Sequence, residues 1–138
     1  MIRLLDVNVL VALAWPNHAH HGPARAWALE QADRGWATSP VTELGFLRLS
    51  TTEHVVGAKV SPVQALELLR RLVAHPAHEF WPDDVRLIDG APVRLATARQ
   101  MTDAHLLVLA RAHGGCLLTF DRGVAALADD SSAVETLG

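Results

Sequence analysis

An α/β sandwich built on a parallel sheet is the fold class this chain predicts, on three observations. Two short, mostly apolar runs, Ile2-Arg3-Leu4-Leu5 and Cys116-Leu117-Leu118-Thr119-Phe120, each stop on a carboxylate, Asp6 and Asp121. Runs this short, bounded by polar residues, read as strands buried on both faces. Strand-like and helix-like segments alternate along the chain, and the helix before Cys116 has the length of a right-handed parallel crossover.

Taken in order, Val7 to Trp15 reads as a short helix with Asn8 as N-cap, stopped by Pro16. His18, His20 and His21 lie in the polar loop that follows; no Cys pair or second His pair gives them zinc-finger spacing. Pro23 suits the first turn of a helix to about Arg34, ended by Gly35, and Trp36-Ala37-Thr38 is a second strand. Ser39-Pro40 opens another helix. A capping-box acid would fall at Thr42, so Glu43 is one position too late for that task and instead shares a face with Phe46 and Leu47.

Thr51 to Val60 has no period and reads as a loop. Ser61-Pro62-Val63-Gln64 is a capping box that starts a helix to about His75. Glu79-Phe80-Trp81 is a candidate third strand, and Pro82-Asp83-Asp84 looks like a helix start with the acids as caps. Asp89 to Pro92 is a turn, and Leu95 to Gln100 fits strand, loop or helix. Thr102 reads as the N-cap of the strongest helix, in which Asp103 heads the stripe Leu106, Leu107 and Ala110. A short helix after Arg122-Gly123 and an edge strand at Val134 to Leu137 complete the chain.

One domain is expected of 138 residues, half of them hydrophobic and 20% charged. No apolar run approaches the roughly 20 residues of a membrane span. The first residues enter a strand-like run without a secretory pattern, and the lone Cys116 has no disulfide partner, so a cytoplasmic protein is expected. The formal charge of −3 argues against a general nucleic-acid coat. Neutralising four carboxylates with metal would bring that balance to about +1, and eleven of the 12 basic residues are arginine, the side chain suited to phosphate.

Asp6, Glu43, Asp103 and Asp121 each stand where an apolar segment meets its polar end. In an open parallel sheet ligands bind beyond the carboxyl ends of the strands. Carboxylates crowded there repel one another unless a proton or a cation intervenes. Oxygen-rich sites of this kind suit Mg²⁺ or Mn²⁺, which can activate water for attack on phosphorus. Thr119 shares a face with Asp121 and can add a hydroxyl; Asn8 can add an amide oxygen or orient a water. Arg122 is placed to steady a phosphate.

The segments Leu5-Asp6-Val7-Asn8-Val9-Leu10, Thr42-Glu43-Leu44-Gly45-Phe46, Thr102-Asp103-Ala104-His105-Leu106-Leu107 and Leu118-Thr119-Phe120-Asp121-Arg122-Gly123 resemble the successive motifs of PIN-domain ribonucleases. In size and order the chain is most similar to the VapC toxins of bacterial toxin–antitoxin pairs. The resemblance implies a PIN-like α/β/α sandwich with a central, mostly parallel sheet of about five strands, the strand of Asp6 central. It implies Mg²⁺- or Mn²⁺-dependent cleavage of RNA, with Asp6, Glu43, Asp103 and Asp121 as the acids and Thr119 as the hydroxyl. It also implies a homodimer inhibited by a small antitoxin. Asn8 stands where relatives often carry Ser or Thr, and the His18-His20-His21 loop has no counterpart in the family core.

Two other readings use the same residues. A phosphatase with Asp6 as nucleophile lacks its second acid, since Asn8 stands there, and a suitably placed Lys. A non-catalytic dimerising domain with a structural cation would gain stability from metal without turning over RNA.

Overall fold

The computed structural model describes residues 1–138. Five parallel strands form one sheet: β1 (Arg3–Leu5), β2 (Trp36–Thr38), β3 (His78–Phe80), β4 (Cys116–Thr119) and β5 (Val134–Thr136), in the order β3-β2-β1-β4-β5. The strand that ends at Asp6 is central, and the sheet is wholly parallel.

Register decides which side chains face which layer. Leu4 pairs with Leu117 and Leu5 with Leu118. Side chains alternate across a strand, so Leu4 and Leu117 face one side and Leu5 and Leu118 the other. The first pair packs with α6 (Met101–Ala112) and α7 (Arg122–Leu127) through Leu106, Leu107, Leu109, Val124 and Leu127. The second packs with α1 (Val7–Ala14), α2 (His21–Gln31), α3 (Pro40–Ser50) and α5 (Pro62–Val73) through Leu10, Trp27, Phe46 and Leu69. A sheet covered on both faces has little room for polar side chains within its strands, which is why β1 and β4 read as apolar runs.

Several helix starts differ from the sequence reading. Asp6, not Asn8, caps α1, its carboxylate accepting from the Val7 N–H. β1 passes into α1 at a single residue, so the strand-end carboxylate is also the cap. The second helix starts at His21 with Pro23 inside its first turn, and the chain from Ala32 to Arg34 is a separate 3₁₀ turn. Thr102 lies inside α6. A 3₁₀ turn at Ala98–Gln100, closed by a Thr97–Gln100 capping box, leads straight into that helix. Asp83 and Asp84 cap nothing: Asp83 meets His105 Nε2 at 2.5 Å and Asp84 meets His113 Nε2 at 3.1 Å, tying their loop to α6. The Thr51–Val60 stretch contains a one-turn helix, α4 (Glu53–Val56), and the third strand begins one residue earlier than expected, at His78. The expected capping box forms at Ser61, and a second, not expected, forms at Ser39, where the Thr42 hydroxyl itself takes the role that an acid would have filled.

Candidate active site

The carboxyl edge of the sheet gathers the predicted residues, and the alternation that sorts the core sorts them too. Asp6 continues the side of Leu4, and Thr119 that of Leu117. Both therefore face the layer of α6, whose first turn carries Asp103. Asp6 is 7% exposed and Thr119 is 0% exposed. The Thr119 hydroxyl donates to Asp6 Oδ2 at 2.7 Å and accepts from the Asp121 N–H at 3.0 Å and from Asn8 Nδ2 at 3.2 Å. Asn8 Oδ1 in turn accepts from the Phe120 N–H at 3.2 Å. One threonine hydroxyl thus joins β1, α1 and the end of β4, and all of its hydrogen-bonding capacity is used.

Charge accumulates here. Burial raises the pKa of Asp6 against the pull of the Thr119 and Val7 hydrogen bonds, with Asp121 adding to the rise. Asp103 has its pKa pushed up to about 6, first by burial, then by the charges of Asp6 and Asp121. Three aspartates from distant parts of the chain therefore share one field.

The three neighbour one another without forming a finished cage, because no group of three His, Cys, Asp or Glu side chains is preset to hold an ion. The donor set is carboxylate, amide and hydroxyl oxygen, which fits a hard divalent cation better than zinc. The raised Asp103 is a second sign of fit, since a cation would offset both the burial and the repulsion that raise it. Asp6, Asp103 and Asp121 would hold such an ion, with Asn8 and Thr119 fixing the ligands.

Glu43 stands apart from this group. It lies in the first turn of α3, on the other layer of the sandwich, and it is not among the charges that raise Asp6 or Asp103. Its carboxylate accepts from the Thr38 hydroxyl at 2.6 Å, and Thr38 Oγ1 also lies 2.7 Å from His78 Nε2. Thr38 is 0% exposed at the end of β2. Burial lowers the pKa of His78, partly opposed by the charge of Glu43. Neither Thr38 nor His78 stood out in the sequence; the one available signal was a polar residue closing an otherwise apolar second strand.

Arg122 opens α7, exposed and directly after Asp121. The histidine segment packs beside Phe120, on the layer of Leu5 and Leu118. His20 stacks on Phe120 with ring centroids 4.6 Å apart, and His21 Nδ1 lies 2.7 Å from the Ala12 carbonyl. His105, paired with Asp83, is half-buried outside the acid group.

Gly45 explains how α3 comes so close. A Cβ at that position would sit 2.5 Å from Val7 Cγ2, so the absence of a side chain lets α3 cross α1 directly beside Asp6.

Comparison with known proteins agrees with this layout. The PIN domain family model matches residues 3–130. Ribonuclease VapC39 of Mycobacterium tuberculosis is 46% identical over 136 residues, covering 96% of each chain. Ribonuclease VapC38 of the same organism is 49% identical over 127 residues, covering 92% of this chain and 90% of the relative. The structure of VapBC2 from Rickettsia felis, bound to a DNA fragment from its promoter, superposes over the full length of both chains with a TM-score of 0.63 at 14% identity, a likeness of fold. A model match over nearly the whole chain, together with relatives near half identity, places this protein in the PIN-domain family, within its VapC group.

Proposed function

We propose that the chain is an endoribonuclease dependent on Mg²⁺ or Mn²⁺ and the toxin of a toxin–antitoxin pair, acting in the cytoplasm as a homodimer held in check by a small antitoxin protein. The observation that carries the chemistry is the shared field of Asp6, Asp103 and Asp121 at the carboxyl edge of a parallel sheet. The names of the ribonuclease relatives support RNA as substrate, and the VapBC complex supports a protein partner. No helix is long and apolar enough to cross a membrane.

When bound, the divalent ion supplies an activated water and stabilisation of charge on the phosphoryl oxygens. The chain's own part is positional. Asp6, fixed by Thr119 and the Val7 N–H, is the rigid member of the acid group. Asp103 and Asp121 complete it from the starts of two helices, and Asn8 locks the turn between Thr119 and Asp121. Arg122 reaches outward to a phosphate. Glu43, the fourth acid that the family resemblance implies, lies in the opposite layer, where its carboxylate accepts from the Thr38 hydroxyl. Attack by water predicts products with a 5′-phosphate and a 3′-hydroxyl.

The test is cleavage of total RNA by purified protein with Mg²⁺ or Mn²⁺, followed by mapping of the cut ends. Asp121→Asn and Asp6→Asn, each checked for folding by circular dichroism, are expected to lose cleavage. Cutting that continues in EDTA or in folded Asp121→Asn would falsify the proposal. Stabilisation by Mg²⁺ without cleavage of any RNA would favour the non-catalytic reading instead.

A further inference from the structure

Thr38 Oγ1 has a single hydrogen and lies within hydrogen-bond distance of two groups, Glu43 Oε2 at 2.6 Å and His78 Nε2 at 2.7 Å. An ionised carboxylate can only accept, so the hydroxyl hydrogen points to Glu43. The contact with His78 must then run the other way, with Nε2–H donating to the threonine oxygen. This assignment fixes the imidazole tautomer, and the three groups form a one-way chain, His78 Nε2–H to Thr38 Oγ–H to the Glu43 carboxylate.

The chain is built rather than incidental. Thr38 is wholly buried, and the register of β2 with β3 sets Trp36 opposite His78. The indole of Trp36 meets the His78 ring edge-on with centroids 4.7 Å apart, which restricts the ring. Glu43 lies in the first turn of α3, where the side chain would otherwise have several rotamers open to solvent. A hydroxyl polarised by an N–H donor on its far side is a stronger donor to the carboxylate.

We propose that His78 is a positioning residue: acting through Thr38, it holds the Glu43 carboxylate in one orientation for its part among the acids of the site. This rests on the nuclease reading, in which Glu43 is one of the acids. It adds two residues, on β2 and the edge strand β3, to a site otherwise built from β1, β4 and the helix starts.

The experiment has one arm that does not depend on activity. Long-range ¹H–¹⁵N NMR of the wild-type protein at neutral pH reads the His78 tautomer, and the expected result is a proton on Nε2. A proton on Nδ1 alone would overturn the proposal whether or not RNA is cut. The second arm uses steady-state cleavage of an oligoribonucleotide. Removing a partner that orients an active-site ligand commonly costs about 10–100-fold, so His78→Ala should lower kcat by that amount with KM little changed. His78→Gln, whose amide can still donate to Thr38, should recover most of the loss. Thr38→Val should cost about as much as His78→Ala, and the double variant no more than either, since both break one chain. Independent, multiplying losses, a wild-type kcat in folded His78→Ala, or no recovery in folded His78→Gln would each reject the positioning role. Absence of cleavage by the wild type would reject the nuclease reading and leave the tautomer result standing by itself.

Discussion

Replacing Asp103 by Asn should stabilise the metal-free protein, and the structure gives the size and pH range of the gain. Burial and the charges of Asp6 and Asp121 lift the Asp103 pKa from 3.8 to about 6. At about 1.4 kcal/mol per pKa unit the ionised side chain would cost the fold about 3 kcal/mol, which solvent screening at a half-buried position reduces to about 1–2 kcal/mol. Between 3.8 and about 6 the folded chain keeps a proton that the unfolded chain has released, so this contribution is intact at the acid end and lost as pH rises through the window. Urea unfolding in EDTA at a series of pH values tests it. Asp103→Asn should match the wild type below about pH 4 and exceed it by about 1–2 kcal/mol above about pH 7. Added Mg²⁺ should raise the wild-type Tm and raise that of the variant much less, because the ion stabilises in proportion to its preference for the folded state. A variant that is less stable than the wild type at pH 8, with an unaltered response to Mg²⁺, would refute the charge argument and leave Asp103 as an ordinary residue of the first turn.

Other outcomes follow from the packing around the site. Gly45→Ala gains about 1 kcal/mol of helix propensity but drives a Cβ to 2.5 Å from the stiff Val7 side chain; overpacking of this kind costs about 1–3 kcal/mol, so urea melts should show net destabilisation. Val7→Ala should relieve the strain, and the double variant should be more stable than the sum of the singles implies. Thr119→Val removes the only side-chain donor to a buried carboxylate and should cost about 1–3 kcal/mol at neutral pH, read by urea unfolding. The same variant should weaken the Mg²⁺-induced rise in Tm, since Asp6 loses the contact that orients it.

Much of this site was legible because a parallel sheet with both faces covered leaves polar side chains only at strand ends. That rule alone pointed to Asp6 and Asp121, and the helical spacing of Asp103 with Leu106, Leu107 and Ala110 pointed to the third member. The rest is set by pairing between strands rather than by order along the chain. Nothing local links His78 to Glu43; the contact exists because Trp36 pairs with His78 and Thr38 ends the same strand. Helix starts are ambiguous in the sequence where two elements compete for one residue. Asn8 had the composition of a cap, yet Asp6 already served both the strand end and the cap, which freed Asn8 to brace the turn after Thr119. Thr102 lost the cap role to a preceding 3₁₀ turn that carries its own capping box.

The same isosteric change should have opposite consequences at Asp103 and Asp6, and the reason lies in the hydrogen bonds. Asp103→Asn removes a charge from a side chain that anchors no hydrogen bond, so only the cost of burying that charge beside two others is lost. Asp6 faces two donors, the Thr119 hydroxyl at Oδ2 and the Val7 N–H at Oδ1. An asparagine has one oxygen and one NH₂ group, so either orientation sets a donor against a donor. Thr119 cannot relieve the conflict by turning its hydroxyl, since it already accepts from Asp121 N–H and Asn8 Nδ2 and has no other acceptor for its hydrogen. An unmet buried donor costs about 1–3 kcal/mol, so Asp6→Asn should fall below Asp103→Asn by about that much at pH 8 in EDTA, even though burial makes the Asp6 charge itself unfavourable. Equal stabilities for the two variants would show that Asp6 is not the hydrogen-bonded anchor of the acid group. Unequal stabilities in the expected order would make Asp121→Asn a cleaner probe of catalysis than Asp6→Asn, because the Asp121 carboxylate accepts from one N–H only, that of Gly123, and an asparagine oxygen can keep that bond.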